Sequence, residues 1–398
     1  MSVPRLRFHE FFQDWMCGSL SDIANINPKP GKMPQEFYYI DLESVVSGEL
    51  TKNSIISSEN APSRAQRILV VGDVLFQTVR PYQKNNYLFK EEKEHPSVAS
   101  TGYAQLRTGL NGSFLYQLLH TERFGYEVNI RCTGSSYPAI NSSDLGEIAI
   151  NYPCIEEQHV IADLFELLDQ KIKLQRRKVE LLKDYKKGLL RDTFSRIVFF
   201  EDENVKNSVG KKICLEKCYS KGKAGGTPVT INKEYYTDAG VPFLSINDMT
   251  EQGKYIRYTK KHITELGLEN SSAWRVPSGS LILSMYASVG FVSINTIELA
   301  TSQAMFSMVF DDGDTRDYVY YYLQFFKNTQ IHRWIEVGTQ GNINADMIRR
   351  MPIYLPTKDE QNKISELLSR MDDDVEENRK LLNGLVGLKA GLLSKMFI

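Results

Sequence analysis

The 398 residues suffice for two or three domains, each with its own core. Hydrophobic residues make up 42% and charged residues 24%, the mix of a globular protein rather than a disordered or membrane chain. A net charge of -1 argues against holding nucleic acid by charge alone, but leaves room for a DNA reader whose partners carry the positive charge.

From Met1 to about Pro153, short apolar or alternating runs predict strands: FYYIDL (37–42), RILVVGDVLFQTV (67–79) and YAQLR (103–107). Gly72-Asp73 and Arg80-Pro81 punctuate them as turns. One helix is expected over GSFLYQLLHTERFGYEV, with Phe114, Leu115, Leu118 and Leu119 on one face. A long helix follows over 154–197, then a polar linker over 198–210. A second globular part, 211–355, repeats the order with FLSI (243–246), SGSLILSM (278–285) and YVYYYLQFFKNTQIHRWI (318–335). A second long helix fills 356–398. The uncharged run near 276–297 is broken by Pro277, Gly279 and Gly290, so it reads as two buried strands and a turn, not a membrane span. The opening MSVPRLRF lacks the apolar core of a signal peptide, which leads us to expect a cytoplasmic protein.

Residues 140–195 align without a gap on 343–398 at a shift of 203. Ile140 and Asn141 fall on Ile343 and Asn344, Pro153 on Pro356, Glu157-Gln158 on Glu360-Gln361, and Asp169 on Asp372. Gly188, Leu189, Leu190 and Phe194 fall on Gly391, Leu392, Leu393 and Phe397. Such a period is far beyond a solenoid unit and marks a duplicated domain plus helix. The expected fold class is therefore α+β: two similar mixed α/β domains, 1–153 and 211–355, joined by two long helices that pair as an antiparallel coiled coil with pseudo-two-fold symmetry.

Heptads support that pairing. In the first helix they run through Ile161, Leu164, Leu168, Gln175, Leu182, Tyr185 and Leu189. In the second they run through Ile364, Leu367, Met371, Asn378, Leu385, Leu388 and Leu392. Thr357-x-x-Glu360 fits a capping box, whereas the first helix has Cys154 there. At about 1.5 Å per residue, roughly 39 residues span about 58 Å, long enough to hold two domains apart. Gln175 and Asn378 stand midway along their helices, so antiparallel pairing would bring two amides together and fix the register.

Catalytic motifs are missing. There is no Asn-Pro-Pro-aromatic or Asp-Pro-Pro-Tyr tetrad, GKAGGT (222–227) lacks the form of a P-loop, and no Gly-x-Gly-x-x-Gly opens a helix. Asp372-Asp373-Asp374 reads as a solvated helix face. Five cysteines form no framework; Cys214 and Cys218 stand as the single close pair, so reduced thiols and no metal site are expected. No catalytic residue is assigned, and the chain alone is not expected to be an enzyme.

Several segments resemble the specificity subunits of type I restriction–modification enzymes. PRLRFHEFFQDW (4–15) is similar to their opening and GDVLFQTVRPYQKN (72–85) to their recurring strand and turn. GSSYPAINSSDL (134–145) and VGTQGNINADM (337–347) resemble the loops that close their target-recognition domains. Pro-x-x-x-Glu-Gln, followed by a helix ending in Gly-Leu-Leu and Phe, resembles their conserved helices in both copies. The resemblance covers essentially the whole chain.

The resemblance implies that each domain reads one half of a split, asymmetric site in double-stranded DNA. The helices would set the spacing and dock two methyltransferase subunits. Those partners would carry S-adenosylmethionine, and two motor–nuclease subunits would carry ATP and Mg2+; this chain would hold no cofactor. A separation of roughly 34 Å, about one duplex turn, suits two major-groove readers. The alternative, a stand-alone sequence-specific DNA-binding or regulatory protein, would need its own basic surface.

Candidate DNA contacts in the first domain are Arg80, Tyr82, Lys84, Asn85 and Asn86 in the turn, with Arg131, Ser135, Ser136 and Tyr137 in the closing loop. In the second they are Tyr286, Ser288, Arg333, Thr339, Gln340 and Asn342, with Lys221, Lys223, Lys260 and Lys261 as phosphate contacts. Arginine suits guanine, and asparagine or glutamine suits adenine. The Arg80-Pro81 turn has no charged equivalent around Ala287-Ser288.

Overall fold

The computed structural model describes residues 3–52, 54–199, 210–333 and 342–398; the side chains of 196–199 and of Arg333 are not described. Most of the expected linker therefore lies outside the described residues. The chain divides into two compact units, Met1–Arg177 with Asn378–Ile398, and Lys178–Glu377. Each unit takes one globular domain and a stretch of both long helices, so the compact units do not stop where the helices begin.

In the first unit two four-stranded sheets carry the domain. One has the order 54–57, 36–40, 97–100, 65–68; the other has 24–26, 103–108, 74–77, 87–88. Strand Val74–Gln77 is central and buried along its whole length, which its apolar run VLF dictates. The helix expected over GSFLYQLLHTERFGYEV is two helices, α1 (Gly112–Leu118) and α2 (Glu122–Arg131). Thr121 makes the break: its hydroxyl donates to Leu118 O at 2.8 Å and accepts from Phe124 N at 3.2 Å. A threonine oxygen thus ends one helix and caps the next.

The second unit repeats the plan with a five-stranded sheet, order 221–224, 305–309, 281–284, 292–295, 255–256, and a four-stranded sheet, order 236–237, 261–263, 241–244, 300–301. The parallel pair of 36–40 with 97–100 recurs as 241–244 with 300–301. The run near 276–297 supplies antiparallel strands Leu281–Ser284 and Val292–Asn295.

The long helices are α3 (Ile155–Phe199) and, after α4 (Gly313–Thr329), α5 (Lys358–Met396). α4 starts earlier than its apolar run suggests, because the Asp312 carboxylate caps it by accepting from Thr315 N at 3.0 Å. Within the first unit α3 and α5 pair antiparallel, with Leu168 and Ile172 against Leu382, Leu385 and Leu392.

The buried seam corrects the expected heptads. It runs through Ile161, Phe165, Leu168, Ile172 and Val179, alternating steps of four and three with half-buried Gln175. The positions seven apart were read correctly, but the intermediate ones lie one residue on. Tyr185, Leu367 and Leu388 face solvent at 63%, 47% and 53% exposure.

Both helices begin alike. Gln158 Nε2 donates to Pro153 O at 2.9 Å while its Oε1 accepts from Asn111 N at 3.0 Å. Gln361 Nε2 donates to Pro356 O at 2.8 Å while its Oε1 accepts from Thr315 Oγ1 at 3.0 Å. Glu360 accepts from Thr357 N at 3.1 Å, the return half of a capping box, whereas buried Glu157 accepts from Arg7 at 2.8 and 2.7 Å instead. The helix ends are also alike: Phe397 stacks on Phe114 at 5.3 Å, and Phe194 meets Tyr318 at 5.6 Å. No helix among the described residues is long and apolar enough to cross a membrane.

Candidate nucleic-acid interface

In the first domain, strands Val74–Gln77 and Tyr87–Leu88 form a hairpin whose loop, 78–86, is built around Gln77. This buried side chain donates from Nε2 to Val79 O and to Gln83 Oε1, both at 2.8 Å, and accepts from Asn85 N at 3.2 Å. Its backbone N–H donates to Asn86 Oδ1 at 2.9 Å. Arg80 and Lys84 both take left-handed backbone, each with φ of 53°. Loops 78–86 and 133–139 are clasped together by Arg80 N donating to Pro138 O at 2.7 Å and Ile140 N donating to Thr78 O at 3.0 Å.

That clasp brings several candidates to one surface. The Arg80 guanidinium lies 4.3 Å from the centre of the Tyr137 ring, a cation–π contact that pre-orients it. Its Nε is buried without a hydrogen-bond partner, and the side chain as a whole is half-buried. Tyr82 and Tyr137 are 58% and 66% exposed, and Ser135 and Ser136 are exposed beside them.

The remaining candidates of this domain do different work. Asn86 is buried and serves the loop, so it offers nothing to an outside ligand in this arrangement. Asn85 accepts from Ser47 N at 3.1 Å, and Lys84 donates to His120 O at 3.2 Å. Arg131 donates to Glu127 Oε2 at 2.5 Å, which neutralises it within its own helix. Burial holds the imidazole of His120 well below its ordinary value, to about 4, so it is neutral at physiological pH.

In the second domain Ser284 takes the place of Gln77. Its buried hydroxyl donates to Ser288 O at 2.6 Å and accepts from Phe291 N at 3.0 Å, closing a shorter loop. Ser288 has φ of 53°, Tyr286 is 41% exposed, and Ile343 N donates to Met285 O at 3.1 Å beside half-buried Asn342. Lys221 Nζ stands 4.4 Å over the Trp274 ring, Lys223 and Lys261 are exposed, and Lys260 pairs with Glu251 at 2.6 Å. Thr339 and Gln340 lie outside the described residues, as does the side chain of Arg333. Among the described residues, no group of three or more His, Cys, Asp or Glu is placed to hold a metal.

Sequence reasoning missed two exposed features. Val229 and Ile231 stand out at 62% and 92% exposure on the loop after Gly225-Gly226. That pair lets the backbone pass close to the neighbouring strand, since a Cβ on Gly225 would lie 2.0 Å from Thr301 O. The sequence signal for the first is the glycine pair in GKAGGT. On α2, Tyr126 and Ile130 face solvent at 64% and 58%, an i, i+4 pair off the buried face.

The type I restriction modification DNA specificity domain matches residues 13–184 and again 220–385. The chain is 23% identical to the HindI type I restriction enzyme specificity subunit of Haemophilus influenzae, over 92% of this chain and 96% of that one. It is 24% identical to the putative MjaX specificity subunit of Methanocaldococcus jannaschii, over 93% and 90%. Its fold is similar to the S subunit of a type I restriction-modification system from M. genitalium, with a TM-score of 0.62 at 14% identity, covering 100% of this chain and 99% of that one. A chain from a structure of type I R-M complex assembly and conformational transition gives the same TM-score at 20% identity, covering 96% and 97%. Matched in both of its halves, the chain belongs to the type I restriction modification DNA specificity family.

Proposed function

We propose that this chain reads DNA for a type I restriction–modification complex, each domain taking one half of a bipartite, asymmetric site in double-stranded DNA. The observation that carries the reading is a contrast between the halves. Contacts that tie domain to helix recur at matched positions, as with Gln158 and Gln361, whereas the hairpin loops differ in length and in their organising residue, Gln77 against Ser284. Diverged loops on a repeated frame suit two different half-sites. Arg80, Tyr82, Ser135, Ser136 and Tyr137 are the first domain's strongest candidates for DNA contact; Tyr286, Ser288, Lys223 and Lys261 are the second domain's.

The helices set the spacing and dock two methyltransferase subunits. Exposed Leu167, Leu174, Leu381 and Leu388 in the first unit, and Leu181, Tyr185 and Leu367 in the second, support this, because apolar side chains at such exposure suit a partner surface. The chain is non-catalytic. The methyltransferases carry S-adenosylmethionine, and two motor–nuclease subunits carry ATP and Mg2+, all in the cytoplasm.

The test is co-expression with the cognate methyltransferase and genome-wide mapping of methylated adenines. A split motif with a fixed spacer is expected. Sequence-specific DNA binding by the chain alone, without any methylation on co-expression, would favour a stand-alone regulator instead.

A further inference from the structure

We infer that Asp169 and Asp372 are positioning residues, seats on the helix pair that orient the two recognition domains; this rests on the function proposed above. In the first unit, Asp169 of α3 accepts from Lys389 Nζ of α5 at 2.5 Å on one oxygen and from Gln117 Nε2 of α1 at 2.8 Å on the other. In the second unit, Asp372 of α5 accepts from Lys186 Nζ of α3 on one oxygen and from Tyr321 Oη of α4 at 2.7 Å on the other. Asp169 and Asp372 occupy the same place in the repeat, and so do Lys186 and Lys389.

Gln117 and Tyr321 are equivalent by their surroundings. Asn111 and Thr315 each bond the glutamine that starts a long helix, and Phe114 and Tyr318 each meet the phenylalanine that ends one. Gln117 and Tyr321 follow three residues later in both cases. The helix side of the contact is thus constant while the domain side changes from amide to phenol. What survives the change is a donor aimed at one carboxylate oxygen. A carboxylate whose other oxygen is already held by a lysine is an acceptor of fixed direction.

A second tie accompanies each seat, again on the domain's approach to the helices. Lys254, next to the positive-φ Gly253, donates to Tyr321 Oη at 2.8 Å and lies 3.9 Å from the Asp372 oxygen that Tyr321 engages. It also donates to Ser369 Oγ, one turn before Asp372 on α5, at 3.4 Å. Glu49, next to the positive-φ Gly48, lies 3.5 Å from Lys173 of α3. The charges are reversed, but the construction is the same. Two ties on one rigid helix restrict rotation of a domain about a single contact, and this is what reading a half-site at fixed distance requires.

Gln117→Met in the first unit, and Tyr321→Phe combined with Lys254→Met in the second, remove the domain-side donors and leave the lysine–aspartate pair between the helices in place. In the assembled methyltransferase complex, methylated adenines are mapped for parent and variants on sites whose spacer is native, one base pair shorter or one longer. Each variant should keep the bases of both half-sites yet lose about tenfold of its discrimination between spacers, the worth of one hydrogen bond to a charged group. Parent-like discrimination in both variants overturns the proposal, whether or not the melting temperature falls, because a merely structural contact would move stability alone. The seats lie in separate units, so a variant that fails to assemble leaves the other to decide. A parent that methylates no split motif overturns the functional reading and the seats together; a split parent motif with unmoved variants overturns only the seats.

Discussion

The Gln175 side-chain amide donates to Asn378 Oδ1 at 3.0 Å and to Asn378 O at 2.9 Å, joining α3 and α5 where each is half-way along its heptad run. Polar residues at such positions select one register at some loss of stability. The double change Gln175→Leu with Asn378→Leu should therefore raise stability, by roughly 1–2 kcal/mol for two half-buried leucines, and loosen the register. Thermal melting and the spacer of the methylated motif check the two halves of this prediction. An unchanged melting temperature together with an unchanged spacer would remove the amide pair from the account.

α4 buries four tyrosines, Tyr318, Tyr320, Tyr321 and Tyr322, with Val319 between the first two. Burial raises the phenol of each above its ordinary value of 10. The unfolded chain loses these protons near pH 10 while the folded chain keeps them, so stability falls as pH rises past that point. Four such groups give a slope of about 5 kcal/mol per pH unit at its steepest. Burial lowers the Lys254 ammonium below its ordinary value of 10.5, which adds stability as pH rises toward 10.5 and no further gain beyond it. Denaturant midpoints between pH 8 and 11 should drop sharply above 10, and Tyr320→Phe should flatten the drop by about a quarter. Tyrosinate absorbance from these four side chains appearing near pH 10 in the folded protein would contradict it.

Much of this architecture was legible because burial writes itself into periodicity. The duplicated helices, the strands around Val74 and Leu281, and the central amides are all visible as spacing. The intermediate seam positions lie one residue on from the expected ones because Leu164 and Tyr185 are apolar neighbours of the Phe165 and Lys186 that carry them. α1 and α2 read as one helix because Thr121 interrupts only hydrogen bonding, not the apolar pattern. The roles of Asn85 and Asn86 were illegible for another reason: a polar side chain that braces a loop and one that faces a ligand have the same sequence signature. Only the partners distinguish them: Asn86 Oδ1 accepts from Gln77 N, and Asn85 Oδ1 accepts from Ser47 N.

Arg80 combines a left-handed backbone, a buried Nε and a ring contact with Tyr137, so its direction is fixed before any ligand arrives. Arg80→Ala should weaken specific binding by the assembled methyltransferase by about 1–3 kcal/mol if the guanidinium makes a bidentate base contact. Tyr137→Ala should give a smaller loss through lost orientation, about 0.5–1 kcal/mol. Binding isotherms at fixed salt, on the cognate site and on one altered in a single half, separate the two effects. Equal losses on both sequences would make Arg80 a phosphate contact rather than a base reader.

If the two antiparallel helices set the spacer, as proposed, lengthening them should lengthen it. Seven residues inserted near Lys178 alone oppose an unmatched stretch of α5 and should disturb the spacer. The same heptad inserted in both helices, after Lys178 and after Asp374, two points that face each other just beyond the Gln175–Asn378 contact, keeps every seam position facing its partner. The inserted length is about 10.5 Å at 1.5 Å per residue. At about 3.4 Å per base pair this corresponds to a spacer roughly three base pairs longer. Mapping methylated adenines in cells that carry the doubly inserted chain reads the outcome directly. The half-site bases should stay as they were, because the hairpin loops that hold Arg80 and Tyr286 are untouched. An unmoved spacer, in a variant that still methylates, would show that something other than the helix pair sets the distance.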